Sequence, residues 1–278
     1  MLKTAAIVYC SPAGTTRRVA QVMEKALEDA GVGVLSADLG KGRDGSSIIE
    51  EIKSREVCLF IGSPVYVNRP IPPIMNFISE LPDNAAAWAV PFVTWGGVSS
   101  GIALYEMSKA LTKKGFTLAG AAKVVALHAM MWRCDNPLGE GHPDRGDEKR
   151  IRELIDAVLK KTASRRPESI SFSDLAYQPE GIHAEMEKTT LETAKAHMPG
   201  KAVDEGRCTE CGVCEEICPV QAITLSPYPE FGPRCICCFQ CVRNCPEEAI
   251  LADFTPVEER IRRRAEQLKE YPLTKIWV

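Results

Sequence analysis

The sequence predicts an α/β chain in which a doubly wound, five-stranded parallel sheet is followed by a small cysteine-rich domain. Three observations carry this. Over the first 160 residues short β-branched runs alternate with stretches of helical periodicity. Hydrophobic residues make up 45% of the 278-residue chain, enough for one sizeable core, while no apolar run approaches the roughly 18 residues that cross a membrane. Eight of the twelve cysteines then fall in two runs of four, 27 residues apart.

The strands come first. TAAIVYC (4–10), VGVLSAD (32–38), VCLFIGS (57–63), AVPFVTW (89–95) and AAKVVAL (121–127) are short apolar runs, as expected of parallel strands covered on both faces. Between them 15–30, 46–54, 72–81 and 101–114 carry helical spacing, and 147–161 makes a closing helix. Residues 1–162 are thus one domain. Residues 163–200 read as a connector with one helix (182–197) ended by Pro199-Gly200. The cysteine domain spans 201–253. Residues 254–278 supply a charged amphipathic helix (256–270) and an apolar tail, YPLTKIWV, expected to pack on the same molecule or, otherwise, to form an interface.

In the cysteine domain RCTECGVCEEICPV (207–220) returns as RCICCFQCVRNCPE (234–247). The opening MLKTAAIVYC shows no apolar stretch with a cleavage site, so a cytoplasmic, reducing location is expected, where clustered cysteines bind metal rather than form disulfides. Zinc is the alternative metal, but it wants four tetrahedral ligands, usually as two separated pairs. A four-iron cubane offers four separate corners, and the last cysteine of each run crosses to the other cluster. On that rule Cys208, Cys211, Cys214 and Cys245 hold one 4Fe-4S cluster, and Cys235, Cys238, Cys241 and Cys218 hold a second. Cys237 is extra: its counterpart is Glu210, and it reads as a non-ligand near the second cluster. So small a domain needs its metal to stay folded. From Lys201 to Asp253 nine acidic residues face four basic ones, which steers the domain toward redox partner proteins with basic docking patches and away from nucleic acid.

Ligands of doubly wound sheets sit beyond the carboxyl ends of the strands. There CSPAGTTRR (10–18) turns at Pro12 and Gly14 and opens a helix at Thr15-Thr16. Hydroxyls and free N–H groups at a helix start make a phosphate site, and equally an ordinary N-cap. GSPVYVNRPIPP (62–73) and TWGGVSSG (94–101) follow the third and fourth strands. Their Tyr66 and Trp95 either face a flat ring or pack.

At these three loops the chain resembles the flavodoxin-like family. The resemblance covers residues 3–162 and implies strand order 2-1-3-4-5 and FMN as cofactor. It places the phosphate on Ser11, Gly14, Thr15 and Thr16, and the isoalloxazine between Ser63, Pro64, Val65 and Tyr66 and the run Thr94, Trp95, Gly96 and Gly97. The chain departs at Ala13, where the family often has a hydroxyl. The cysteine runs closely resemble bacterial two-cluster ferredoxins, and the two halves together resemble the flavodoxin-ferredoxin fusion proteins of anaerobic bacteria and archaea.

That resemblance implies electron transfer between two 4Fe-4S clusters and FMN, linking a low-potential iron-sulfur donor to a redox partner in anaerobic metabolism. The alternative is a flavin enzyme that reduces a small organic acceptor, a quinone or unsaturated compound, with electrons fed through the clusters. It turns on the long loop LHAMMWRCDNPLGEGHPDRGDE (127–148) after the fifth strand, which is placed to cap the flavin. In that reading His128, Cys134 and Asp135, with His142 and Asp144, form a proton relay or a thiol nucleophile. A sensor role lacks support, since the basic run Arg262-Arg263-Arg264 is short and lies among glutamates. A homodimer is left open.

Overall fold

The fold is seen in a computed structural model, which describes residues 2–41, 45–54, 57–83, 85, 87–164 and 168–278. In chain order the first domain comprises β1 (Thr4–Tyr9), α1 (Thr15–Asp29), β2 (Gly33–Asp38), α2 (Ser46–Ser54), β3 (Cys58–Tyr66) and the short β4 (Arg69–Pro70), then α3 (Pro72–Glu80), β5 (Trp88–Trp95), α4 (Ala103–Lys113), the short β6 (Thr117–Leu118), β7 (Ala121–Val125) and α5 (Arg145–Ala163). The five long strands pair in parallel in the order β2-β1-β3-β5-β7. This is the doubly wound order 2-1-3-4-5 of flavodoxin-like folds.

Alternation along β1 shows why the sheet is covered twice. Ala6, Val8 and Cys10 face a core with Ile74, Phe77 and Met107 of α3 and α4, whereas Ala5, Ile7 and Tyr9 face Val19, Met23 and Leu27 of α1 and Leu154 of α5. Successive side chains on a strand point to opposite faces, so both sets must be apolar. Gly62 in β3 lets the Phe92 ring of β5 lie against the backbone, since a Cβ there would meet it at 2.1 Å.

Residues 165–167 of the expected connector lie outside the described residues. The remainder forms two helices rather than one, α6 (Glu180–Lys188) and α7 (Leu191–Lys195). Thr189 is extended, and the Thr190 hydroxyl accepts the N–H of Thr193 and caps the new start. Two consecutive β-branched residues with side-chain capping favour that restart over continuation. Arg69 pins the break from β4 by donating to the carbonyls of Thr189 (2.9 Å) and Glu187 and pairing with Glu106.

The cysteine domain holds two antiparallel ribbons and two single-turn helices. β8 (Ala202–Val203) pairs with β11 (Ile250–Leu251), and β9 (Ile223–Leu225) with β10 (Pro229–Phe231); α8 (Val213–Glu216) and α9 (Gln240–Arg243) each contain the third cysteine of a run, Cys214 and Cys241. The 27-residue repeat persists in the backbone. Positive φ recurs at Glu210 and Cys237 (54° and 53°), at Gly212 and Phe239 (76° and 52°) and at Gln221 and Glu248 (both 48°). The N–H groups of Ala222 and Ala249 donate to the sulfurs of Cys218 and Cys245 at 3.2 and 3.3 Å. Its own core is small, six buried residues including two cysteines.

The C-terminal α10 (Thr255–Leu268) leads to β12 (Lys275–Trp277), which adds an antiparallel strand to β7. The tail therefore packs on its own sheet and extends the five strands by a sixth. Trp277 stacks on Tyr177 at 5.2 Å. Among the described residues no helix is long and apolar enough to cross a membrane.

Candidate cofactor sites

The carboxyl ends of β1, β3 and β5 open on one cavity of about 100 Å³. Ala13 and Thr15 reach it from the first loop, Pro64, Val65 and Tyr66 from the second, and Thr94, Trp95 and Gly96 from the third. The other expected loop residues hold these loops in shape. Ser11 Oγ accepts the N–H of Arg17 at 2.9 Å, Thr16 and Thr94 share a buried hydroxyl bond of 2.7 Å, and Ser63, fully buried, donates to the Pro64 carbonyl and accepts from Ile71 N–H. Gly14 precedes α1 at φ 88°, and with the Arg17 N–H taken by Ser11 the N–H groups of Thr15 and Thr16 are the ones left for an anion. Gly97 also turns at positive φ, 77°, outside the cavity wall.

Whether FMN fits can be judged from the polar atoms left over. The indole Nε1 of Trp95, a residue only 1% exposed, and the hydroxyl of Tyr66 are buried without a hydrogen-bond partner. Buried polar groups are almost always paired, so two orphans lining one cavity mark a place where a ligand supplies the partner. No Asp or Glu lines the cavity among the described residues, which suits an anionic phosphate ester. Burial first, and Cys238 after it, raise the Tyr66 hydroxyl well above its usual range, keeping it a neutral donor.

The loop after β7 supplies a wall, as expected of a cap, and the sequence pattern gave no sign of Met198 or Cys237 there. Ala126 to Met130, Met198 and Cys237 also line the cavity. Gly96 admits His128, whose ring a Cβ would meet at 2.7 Å. Burial lowers His128 to about 4, so it is a neutral imidazole, and its Nδ1 accepts the N–H of Met130 at 3.3 Å, leaving Nε2 the proton.

The rest of the 127–148 loop does other work, and the expected relay is not assembled. Cys134 contacts Glu258 of α10, with burial and that hydrogen bond raising its thiol to about 11. The Asp135 carbonyl receives Arg262. His142 pairs with Asp147 at 2.6 Å while Asp144 and Asp147 form the capping box of α5. Helix capping thus explains residues whose spacing suggested proton transfer. Meanwhile the 129–133 segment clamps the cysteine domain: Arg243 reaches the Ala129 carbonyl and lies 4.5 Å from the Trp132 ring, and Arg133 pairs with Glu248 at 2.7 Å.

The thiols gather in two groups. Cys208, Cys211, Cys214 and Cys245 line one small cavity. Burial, and among nearby groups Cys241, Cys235 and Cys218, push the Cys238 thiol up to about 12, which places those four together. Among the described residues the only three ligand atoms within 4.8 Å of one another belong to His142, Asp144 and Asp147, the capping cluster. Four thiols in each group match in number the four iron corners of a cubane. Cys237 belongs to neither group. Its thiol and its N–H, the latter at 3.4 Å, hydrogen-bond the Cys235 sulfur and lower that thiol, while Cys237 itself is raised.

Comparison with known proteins decides the nature of this domain: residues 201–224 match the model of the 4Fe-4S binding domain. The chain joins a flavodoxin-like sheet to a 4Fe-4S binding domain. No curated protein matches it. Among solved structures, rubredoxin oxygen:oxidoreductase from the anaerobe Desulfovibrio gigas is similar to 58% of the chain at 20% identity and TM-score 0.46, with 37% of its own length covered. A flavodoxin from the domain Archaea is similar over 56% of the chain and 97% of its own, at 19% identity and TM-score 0.43. The two-electron reduced flavodoxin of Megasphaera elsdenii gives 56%, 98%, 22% and 0.41. The chain thus spans little more than a third of the first of these proteins.

The 4Fe-4S domain meets the flavodoxin-like sheet at the cavity. Ile236 and Cys238 are buried in the same core as Cys10 and Ala37, and Tyr66 packs against that core from the ligand side.

Proposed function

We propose that the chain transfers electrons between two 4Fe-4S clusters and one FMN, linking a low-potential iron-sulfur donor to a redox partner in anaerobic metabolism. One cluster is assigned to Cys208, Cys211, Cys214 and Cys245, the other to Cys235, Cys238, Cys241 and Cys218. FMN is assigned to the three-loop cavity. The observation that carries the reading is Cys237, which lines that cavity and hydrogen-bonds the cluster ligand Cys235. Bound in these sites, the clusters supply single electrons and FMN accepts one or two.

The chain's own residues set the conditions. First-turn N–H groups of α1 and the Thr15 hydroxyl receive the phosphate. Trp95 Nε1, Tyr66 and neutral His128 offer donors in a site lined by no carboxylate among the described residues, which favours negative charge on the ligand. Met130 and Met198 close it against water. The acidic face of the 4Fe-4S domain attracts a donor protein with a basic patch. The test is stoichiometric. Protein purified without oxygen should contain about eight iron and eight sulfide per chain and one FMN; zinc in place of iron, or no flavin, would refute the assignment.

A second reading, a flavin enzyme acting on a small organic acceptor, is favoured by one feature: a wider cleft of about 540 Å³ that shares His128, Gly96 and Met130 with the FMN cavity.

A further inference from the structure

That wider cleft lies between α10 and α7, with the loops after β3 and β5 as its floor. Its size falls within the range of small-molecule sites, about 300–1,000 Å³. Two features of its wall select a ligand. The floor is apolar, built from Val98 with Val257 and Ile261 of α10, and continues through Val65, Val67 and Met130 into the wall shared with the flavin cavity. The rim carries three guanidinium groups, Arg260, Arg263 and Arg264, and no Asp or Glu lines the cleft among the described residues.

That bias is local. The whole chain is net negative, at −3, and α10 itself contains three glutamates in Thr255–Leu268, yet none of these lines the cleft. Arg260 reaches the carbonyl of His197, and Arg264 pairs with Glu185 at 2.5 Å. Both are thereby fixed in place on the rim, with Arg264 partly neutralised. Arg263 is exposed and makes no ion pair among the described residues, so it retains its full charge for a ligand. The FMN phosphate does not account for this rim, because no residue of the Ser11–Thr16 loop lines the cleft. At the inner end His128, neutral and with its Nε2 proton free of the Met130 bond, supplies a donor common to both cavities.

We propose that the cleft binds an apolar small-molecule carboxylate, its apolar body on the aliphatic floor and its carboxylate on the arginine rim. Arg263 is the specificity-determining residue, since a guanidinium pairs with a carboxylate through two parallel hydrogen bonds. The ligand's role as an electron acceptor rests on the function proposed above; its binding does not.

The experiment uses the full chain purified without oxygen, with its iron and FMN content measured beforehand. Isothermal titration compares 2-naphthoate with its neutral analogue 2-naphthalenemethanol, in the unsubstituted protein and in Arg263→Gln. The expected result is binding of 2-naphthoate at least about tenfold tighter than of the alcohol, a preference lost in Arg263→Gln while the affinity for the alcohol is unchanged. Because Arg263 is exposed the variant keeps its fold, and the preference in the unsubstituted protein is read without any variant. Equal affinities for the two probes, an unchanged preference in Arg263→Gln, or displacement of 2-naphthoate by added FMN would overturn the proposal, the last by showing that the cleft is the flavin's own. Absence of FMN from protein that binds 2-naphthoate with this preference would instead refute the electron-transfer reading and leave the site standing.

Discussion

Cys237 is the residue on which the two halves of the molecule meet, and its neighbours explain why. It occupies a left-handed backbone position, φ 53°, that lets its N–H and thiol both turn toward Cys235 while the side chain stays in the cavity wall. Hydrogen bonds to cluster sulfurs set cluster potentials. Cys237→Ala is expected to keep the full iron content, whereas Cys241→Ala loses roughly half of it; and Cys237→Ala shifts one cluster to a more negative potential in an anaerobic redox titration. His128 gives a second prediction. Its folded value of about 4 lies below the ~6.5 of an unfolded chain. Between those values the unfolded state holds more protons, so stability is complete above about pH 6.5 and falls as the pH drops toward 4. The loss is roughly 2 kcal/mol after allowance for partial exposure. Denaturant unfolding at pH 5 and pH 7 should show that His128→Asn removes this part of the difference. At this scale the sequence was legible where chemistry is dense: the cysteine spacing names both thiol groups. His142 and Asp144 were misleading, because a capping box and a proton relay draw on the same residue types.

At the scale of elements, the strands and helices of the first domain follow from periodicity alone, since each strand must serve two cores and each helix one. The connector did not. Its helical spacing runs on through Thr189 and Thr190, where a local Thr190 cap and the tertiary bonds from Arg69 together stop it. Arg69→Ala should therefore cost about 1–3 kcal/mol in denaturant unfolding, since it frees two carbonyls and strands part-buried Glu106. The C-terminal strand was likewise hidden. What fixes it is Lys123, a lysine in the middle of the buried strand β7, paired at 2.5 Å with Glu270, their side chains 9% and 13% exposed. Glu270 also accepts bonds from Ser99 and Gln178, and the Lys123 ammonium lies 5.1 Å from the Trp95 ring beside the three-loop cavity. Burial works against the Glu270 carboxylate, but Lys123 and hydrogen bonds from Ser100 and Gln178 hold it below the usual carboxylate range. Glu270→Ala leaves a buried charge unpaired and should destabilise by about 3–5 kcal/mol, and the double variant Lys123→Met with Glu270→Leu should recover most of it. Chemical denaturation of the unsubstituted protein, the single variant and the double variant measures both.

Across the whole molecule, docking of the 4Fe-4S domain on the sheet is what turns two recognisable halves into one device. The sequence named each half by its local pattern, but the contact between them is made by single residues from distant positions: Ile236 and Cys238 in the sheet's core, Arg243 on Trp132, Cys237 in the cavity wall. No local periodicity encodes such contacts, although the loop after β7 is conspicuous in length, and its length is what reaches the second domain. The central claim is that electrons pass between clusters and flavin within one chain. Stopped-flow mixing of the anaerobic protein with a reduced ferredoxin, followed at iron-sulfur and flavin wavelengths, tests it most directly. The account predicts that the clusters bleach first and that flavin reduction follows at a rate independent of protein concentration. Flavin reduction that scales with protein concentration, or flavin that stays oxidised beside reduced clusters, would contradict it.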